Sequence, residues 1–398
     1  MLMFALNLSN FRMKIKILLL LAFFFLTTIY AQQNTISEPI SVEIGKSYKI
    51  QSSFLKEERR LFIHLPEGYQ KSKKKYPVIY VLDGSSHFQH ATNAATILQN
   101  NEKMPKSIIV AIPNNPGTRR RDLGRDRDTF KQFIKDEVIQ FVEKNYRTSN
   151  HRTIFGHSMA GAFVLNYLAT EPELFDNYIA ASPVIQIFNS ELLTKFQELF
   201  KGEKIVNKSL YFTLTGVEAE GQRATDALNK FVNLLEKKAP KTLKWKYDYI
   251  ENQVHMTTPY LTMYQGFSMA FNDFQNPRFV SYEAYKKFGG IRNLKLYYTQ
   301  RANKYQTSAQ IPENTLRRVA YVLLDGKQMK MAIELFKENI KNYPQSAMAH
   351  KSLGDAYNTI NNQKDALKAY QKAVNLAKKQ SSPNTDYFVR QLNRVQGK

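Results

Sequence analysis

Apolar residues follow two rhythms along this chain. Over residues 76–82 they run almost without a break, Tyr76-Pro77-Val78-Ile79-Tyr80-Val81-Leu82, as in a strand covered on both faces of a parallel sheet. Residues 47–55 and 58–65 are β-rich or alternating, which predicts antiparallel strands at a sheet edge. Short apolar runs then trade places with helical periodicity. The expected order is helix 88–100, strand 107–112, helix 129–145, strand 153–155, helix 159–170, strand 178–181, strand 209–215, helix 222–238, strand 243–250 and helix 258–274. This order predicts the α/β class, a mostly parallel sheet with helices on both faces. Ligand sites in such sheets lie at the carboxyl ends of the strands.

From about residue 313 the rhythm changes to paired helices. Two stretches align at a spacing of 34 residues: Ala320 with Gly354, Leu323 with Tyr357, Ala332 with Ala366, Phe336 with Tyr370. The spacing resembles tetratricopeptide repeats, in which small residues let the paired helices touch. Two repeats bury too little surface to stand alone. The tyrosine-rich residues 281–312 and a helix near 385–396 are therefore expected to cap them or dock them on the first domain. The expected organisation is a signal peptide over 1–31, an α/β domain over 32–277, a helical connector over 278–312 and repeats over 313–398.

The amino terminus carries Met13-Lys14-Ile15-Lys16, the apolar run Ile17 to Ile29, then Tyr30 and Ala31. A charged start, a short apolar stretch and a small residue predict a secretory signal cleaved after Ala31. The run is short against the roughly 20 residues of a membrane-spanning helix. A periplasmic or secreted protein is expected, with no membrane span once the signal is removed; an uncleaved anchor is the alternative. The chain has no cysteine, which excludes disulfides, thiolate metal sites, a cysteine nucleophile and a lipidated cysteine. A formal net charge of +23 is spread over the whole length, suggesting attraction to anionic surfaces or substrates. No nucleic-acid recognition motif accompanies it, so no nucleic-acid partner is expected.

Chemistry concentrates at residues 152–161, Arg-Thr-Ile-Phe-Gly-His-Ser-Met-Ala-Gly. Strand, sharp turn and helix follow one another here, with Ser158 at the turn and Gly156, Ala160 and Gly161 around it. A nucleophile elbow needs small residues at such positions, because its serine sits in a strained backbone conformation. A serine nucleophile needs a base, and the base needs an orienting acid. Of seven histidines, only His255 and His350 follow Ser158, and His350 falls within a repeat helix. His255, in a loop after a strand, is the expected base, while His157 is expected to bury its ring beneath the elbow. For the acid, Glu218 lies nearest the end of the preceding strand, Glu220 is second and Asp226 third. The oxyanion donors are expected from Met159 and from Gly84 or Ser85.

Residues 113–128 place Arg119, Arg120, Arg121, Arg125 and Arg127 among Asp122, Asp126 and Asp128. They read either as a self-paired surface loop or as an anion clamp at the site's rim. In the second reading His87, Arg120 and Arg121 are the substrate contacts.

Several motifs occur together and in order: Val81-Leu82-Asp83-Gly84, Arg121-Asp122-Leu123, Phe130 to Phe133, Asp136-Glu137-Val138, Asn145-Tyr146-Arg147-Thr148 and Gly156-His157-Ser158-Met159. With these the chain resembles, over residues 40–275, the "Putative esterase" family, which includes enterochelin, feruloyl and acetyl-xylan esterases. The resemblance implies an α/β-hydrolase fold, Ser158 as nucleophile, His255 as base and a carboxylate at the Glu218 position. Ala160 stands where the family usually has glycine, and the loop between Leu123 and Phe130 is shorter than in many relatives.

The function expected is hydrolysis of a carboxylic ester, aryl, siderophore-type or glycan, through an acyl-enzyme, with no cofactor and no metal. Its activity is expected to fall in acid as His255 is protonated. Two alternatives are an acyltransferase on the same scaffold and a non-catalytic protein that binds a protein partner through its repeats.

Overall fold

The computed structural model describes Met13 and residues 38–188, 190–202 and 207–397. The cleavage point after Ala31 and the signal segment, Met13 apart, lie outside these residues. Eight strands form one sheet: β1 (Lys46–Gln51), β2 (Glu58–His64), β3 (Tyr76–Leu82), β4 (Ile108–Ile112), β5 (Thr148–His157), β6 (Asn177–Ala181), β7 (Lys208–Leu214) and β8 (Leu243–Tyr249). They lie in the order β1-β2-β4-β3-β5-β6-β7-β8. β1 pairs antiparallel with β2, and β2 antiparallel with β4. All later pairings are parallel. Every residue of β3, β4 and β6 is buried, as expected of strands covered on both faces.

Alternation within the strands divides the core. Val78, Tyr80 and Leu82 join the layer that contains Phe163, Leu165 and Leu168, from the helix α4 (Met159–Thr170). Ile79 and Val81 face the other way, against Ala91, Ala95, Met263 and Phe267, from α1 (Gly84–Asn100) and α8 (Thr258–Ala270).

Three elements depart from the expectation. β5 begins five residues before the predicted strand, through the polar run Thr148–Arg152. Its main chain and side chains there are tied to a neighbouring carboxylate, Asp176, which accepts from Arg152 N–H at 2.9 Å. The single helix predicted over 129–145 is α2 (Arg127–Gln132), a wider helical segment (Phe133–Val138) and α3 (Ile139–Asn145). A further helix, α5 (Glu191–Lys201), buries Leu192, Phe196 and Leu199 along one side, a helical spacing. α6 (Val217–Glu220) and α7 (Gln222–Lys238) then separate β7 from β8.

Beyond residue 280 the described chain is helical: α9 (Tyr282–Phe288), α10 (Gly290–Tyr305), α11 (Glu313–Asp325), α12 (Met329–Asn342), α13 (Ala347–Thr359), α14 (Gln363–Lys379) and α15 (Thr385–Gln396). In α13 Gly354 meets the Tyr370 ring of α14 so closely that an added Cβ would lie 3.1 Å from it. The connector serves both sides. Tyr285, Leu294 and Tyr298 pack with Leu316, Val319 and Leu323, whereas Tyr305 lies in the layer of Phe155, Ile179 and Phe271. Among the described residues no helix is long and apolar enough to cross a membrane.

Candidate active site

Ser158 stands between β5 and α4 with φ 61° and ψ −119°, a conformation that non-glycine residues adopt only when their surroundings enforce it. The enforcement is visible. Its N–H donates to Ala181 O at 2.9 Å, and its carbonyl accepts from Ala162 N–H at 3.0 Å and Val184 N–H at 3.2 Å. A Cβ on Gly156 would come within 2.2 Å of the Ala160 carbonyl oxygen. The squeeze at the elbow is thus between Gly156 and the main chain of residue 160, and Ala160 itself fits, fully buried.

His255 follows β8 in the loop that leads into α8. Its Nδ1–H donates to Glu220 Oε2 at 2.6 Å. The Glu220 side chain is 2% exposed and the His255 side chain 28%. Burial alone would raise the Glu220 carboxyl, but the His255 hydrogen bond and the Ser182 hydroxyl outweigh it and hold the group below its ordinary range. The expectation that favoured Glu218 is corrected here. Glu218 and Glu220 are two residues apart on α6, so they point to opposite faces. Glu218 is exposed, while Glu220 turns inward to the imidazole, and Gly221 at φ 83° ends the turn. Asp226 lies on α7, where it accepts from Gln222 Nε2 at 2.7 Å. No hydrogen bond joins Ser158 Oγ to His255 Nε2 among the described residues; in sites of this kind that contact commonly tightens only on substrate binding.

Two helices begin beside the serine. Met159 opens α4, and Gly84 and Ser85 open α1, so their N–H groups have no partner within their helices. β3 and β5 are parallel neighbours, with Val81 opposite Phe155, which brings both helix starts to the same end of the sheet. Gly84 permits this: a Cβ there would lie 2.8 Å from the main chain of Ile112 and Pro113.

Most arginines of the loop are paired with carboxylates, several of them outside it. Arg121 binds Glu57 at 2.8 Å and Asp122 at 2.7 Å, so its guanidinium is occupied away from the serine. Asp122 in turn pairs with the fully buried Arg59 at 2.7 Å, which lies over Phe130 and Phe133. Arg127 pairs with Glu191 at 2.6 Å. Arg120 is exposed and has no carboxylate partner among the described residues. His87, expected at the rim, is instead buried against His157 and Phe155, and burial pushes its imidazole down to about 4.

One pairing escaped the sequence. Asp83, in left-handed backbone at the end of β3, is forked by Arg119 through Nε at 2.7 Å and Nη2 at 2.8 Å. The same Nη2 reaches His157 O at 3.2 Å. The adjacent Asp83-Gly84 hinted at the turn, but nothing in the linear pattern singled out Arg119 among five arginines. Among the described residues no three His, Asp or Glu side chains converge as metal ligands.

Comparison with known proteins identifies the family and the fold. Residues 52–254, just over half of the chain, match the family model described as "Putative esterase". Ferri-bacillibactin esterase BesA of Bacillus subtilis is 31% identical over 175 residues, 36% of this chain and 60% of that protein. A siderophore enterobactin esterase of Emericella nidulans is 28% identical over 176 residues, 36% of this chain and 57% of that protein. The alignments thus span less than two thirds of these relatives' own lengths. Among solved structures, an IroE-like serine hydrolase from Shewanella oneidensis superposes with a TM-score of 0.59 at 24% identity, over 75% of this chain and 99% of that one. An uncharacterised protein from Capnocytophaga ochracea gives 0.62 at 17%, over 89% and 99%. Identities this low speak to fold alone, and the fold is that of α/β-hydrolases. The elbow, the sheet order and the family match converge: the chain belongs to the "Putative esterase" family.

Proposed function

We propose that this chain is an exported serine hydrolase that cleaves carboxylic esters of siderophore or aryl type through an acyl-enzyme. Ser158 attacks the ester carbonyl, and His255 takes its proton and passes it to the leaving alcohol. Glu220 fixes the ring with Nδ1 protonated, leaving Nε2 to act as the base. The N–H of Met159 and that of Gly84 or Ser85 receive the developing oxyanion. Water then repeats the attack on the acyl-enzyme and frees the acid.

The observation that carries this reading is the enforced backbone of Ser158 at a strand-to-helix turn, with a carboxylate-bound histidine on a neighbouring loop. The siderophore-type substrate rests on the names of the relatives. It is supported by the net charge of +23 and by Arg120, exposed at the loop, since such esters carry phenolate or carboxylate groups. Export rests on the signal pattern at the amino terminus.

The test is covalent labelling of purified residues 32–398 by a fluorophosphonate, with Ser158→Ala alongside. Wild-type labelling that vanishes in the variant, with ester turnover down by ~10³ or more, is expected. A wild type that stays unlabelled across neutral and mildly alkaline pH would sink the proposal.

A further inference from the structure

His157, the residue before the nucleophile, takes no part in the chemistry above, yet it contacts His255, His87 and Arg119. The residue is 3% exposed. Nε2 lies 2.9 Å from the main-chain oxygen of His255, and a carbonyl can only accept, so Nε2 carries the proton and donates. The two rings lie against each other, with centroids 4.7 Å apart. On the other side His87 meets the His157 ring edge-on at 5.5 Å. The carbonyl of His157 takes Arg119 Nη2 at 3.2 Å, and Arg119 is the residue that forks Asp83 beside Gly84.

Two threonines also hold the loop that carries His255. Thr215 Oγ1 donates to Ile250 O at 2.8 Å and to Gln253 O at 3.0 Å. At the far end Thr258 Oγ1 reaches back to His255 O at 3.1 Å, and it also bonds Ser182 Oγ at 2.9 Å. At the middle of the loop, the His157 N–H is the donor that comes from the sheet. Glu220 sets the rotation of the His255 ring, but where the ring stands relative to Ser158 follows from its main chain.

We propose that His157 is a positioning residue, which fixes the main chain of the base's loop from the position next to the nucleophile. The inference rests on the assignment of Ser158 and His255 made above. Because the donor is one residue from Ser158 on the last pair of β5, His157 opposite Ala181, any shift of the strand end carries nucleophile and base together. The distance between them is thereby insulated from movement of the surrounding loops. Errors of about 1 Å in such distances cost ~10²-fold in rate.

The experiment compares His157→Gln with His157→Asn. Glutamine places an amide N–H near the position of Nε2 and can reach the carbonyl; asparagine ends where Nδ1 stands and cannot. Both are neutral and polar, and circular dichroism checks that both fold. The expectation is that His157→Gln keeps kcat within about threefold of wild type, whereas His157→Asn loses about 10- to 100-fold. KM should stay within about twofold in each, and the rate of fluorophosphonate labelling should follow kcat. Equal activity of the two folded variants, or a loss carried by KM, overturns the proposal while leaving Ser158 as nucleophile. If the asparagine variant fails to fold, His157→Leu, which fills the space without a donor, takes its place and should lower kcat about 10- to 100-fold at constant KM; kcat equal to that of His157→Gln overturns the proposal. An unlabelled wild type removes both readings at once.

Discussion

Two histidine–carboxylate pairs lie toward opposite ends of β5, one buried and one half-buried, and only one is built as a reaction centre. At the amino end His151 is 5% exposed. It faces Asp176 through Nδ1 at 3.3 Å and accepts from Asn177 Nδ2 through Nε2 at 3.0 Å. The Asn177 amide is itself fixed, because its oxygen accepts from Ser209 Oγ at 2.6 Å. Both ring nitrogens are satisfied and the Tyr305 ring covers the group at 4.9 Å. At the carboxyl end the pair is His255 and Glu220. There Nε2 is without a partner among the described residues, and the nearby serine is held in a conformation it would not choose. A histidine–carboxylate pair is therefore a poor marker of catalysis by itself. What distinguishes the ends is an unfilled imidazole nitrogen and stored backbone strain.

The sharpest way to break this comparison is to neutralise the carboxylate at each end. Glu220→Gln should reduce turnover by ~10²–10⁴, while Asp176→Asn should leave turnover of the folded enzyme within about twofold and lower only its melting temperature. Matching losses at both ends, measured as kcat on one ester, would overturn the distinction. Next in size is the choice within α6. Glu218→Gln should change kcat by less than about threefold, since surface carboxylates contribute little; a loss as large as that of Glu220→Gln would restore Glu218 as the acid.

The smallest effect concerns acid stability. Burial depresses the imidazoles of His151, His157 and His87 from their ordinary 6.5 to about 4. Between those values the unfolded chain binds protons that the folded chain does not, so stability is complete above pH 6.5 and is lost as pH falls toward 4. The melting temperature should fall across that window. In His151→Gln the fall should be shallower, with activity at pH 8 retained; an unchanged slope would mean that His151 is not one of the groups responsible.

Much of this was legible in the linear pattern. The buried run of β3, the elbow around Ser158 and the position of His255 all follow from periodicity and from chain order. Glu220 did not, because proximity to a strand end is a weaker guide than helical phase: a four-residue helix inserted between Gly216 and Gly221 reversed which glutamate faces inward. Arg121 and His87 were misplaced for a related reason. Their partners, Glu57 and Phe155, are distant in sequence, and residue type alone cannot distinguish a guanidinium or imidazole that is occupied from one that is free. β5 was read too short because its first half is polar, held by Asp176 rather than by apolar burial.

Tyr305 bears on how this chain can be divided. The expected end of the α/β domain falls at residue 277, yet the tyrosine comes from beyond it, fills the layer beside Phe155 and Phe271, and donates its hydroxyl to Asp273. An expression boundary there would strip an aromatic plug from the sheet and leave a sticky, protease-sensitive surface under His151. Because Tyr285, Leu294 and Tyr298 of the same segment pack on Leu316, Val319 and Leu323, a cut at Gln306 would bare the opposite face in turn, so residues 44–398 divide cleanly at neither point.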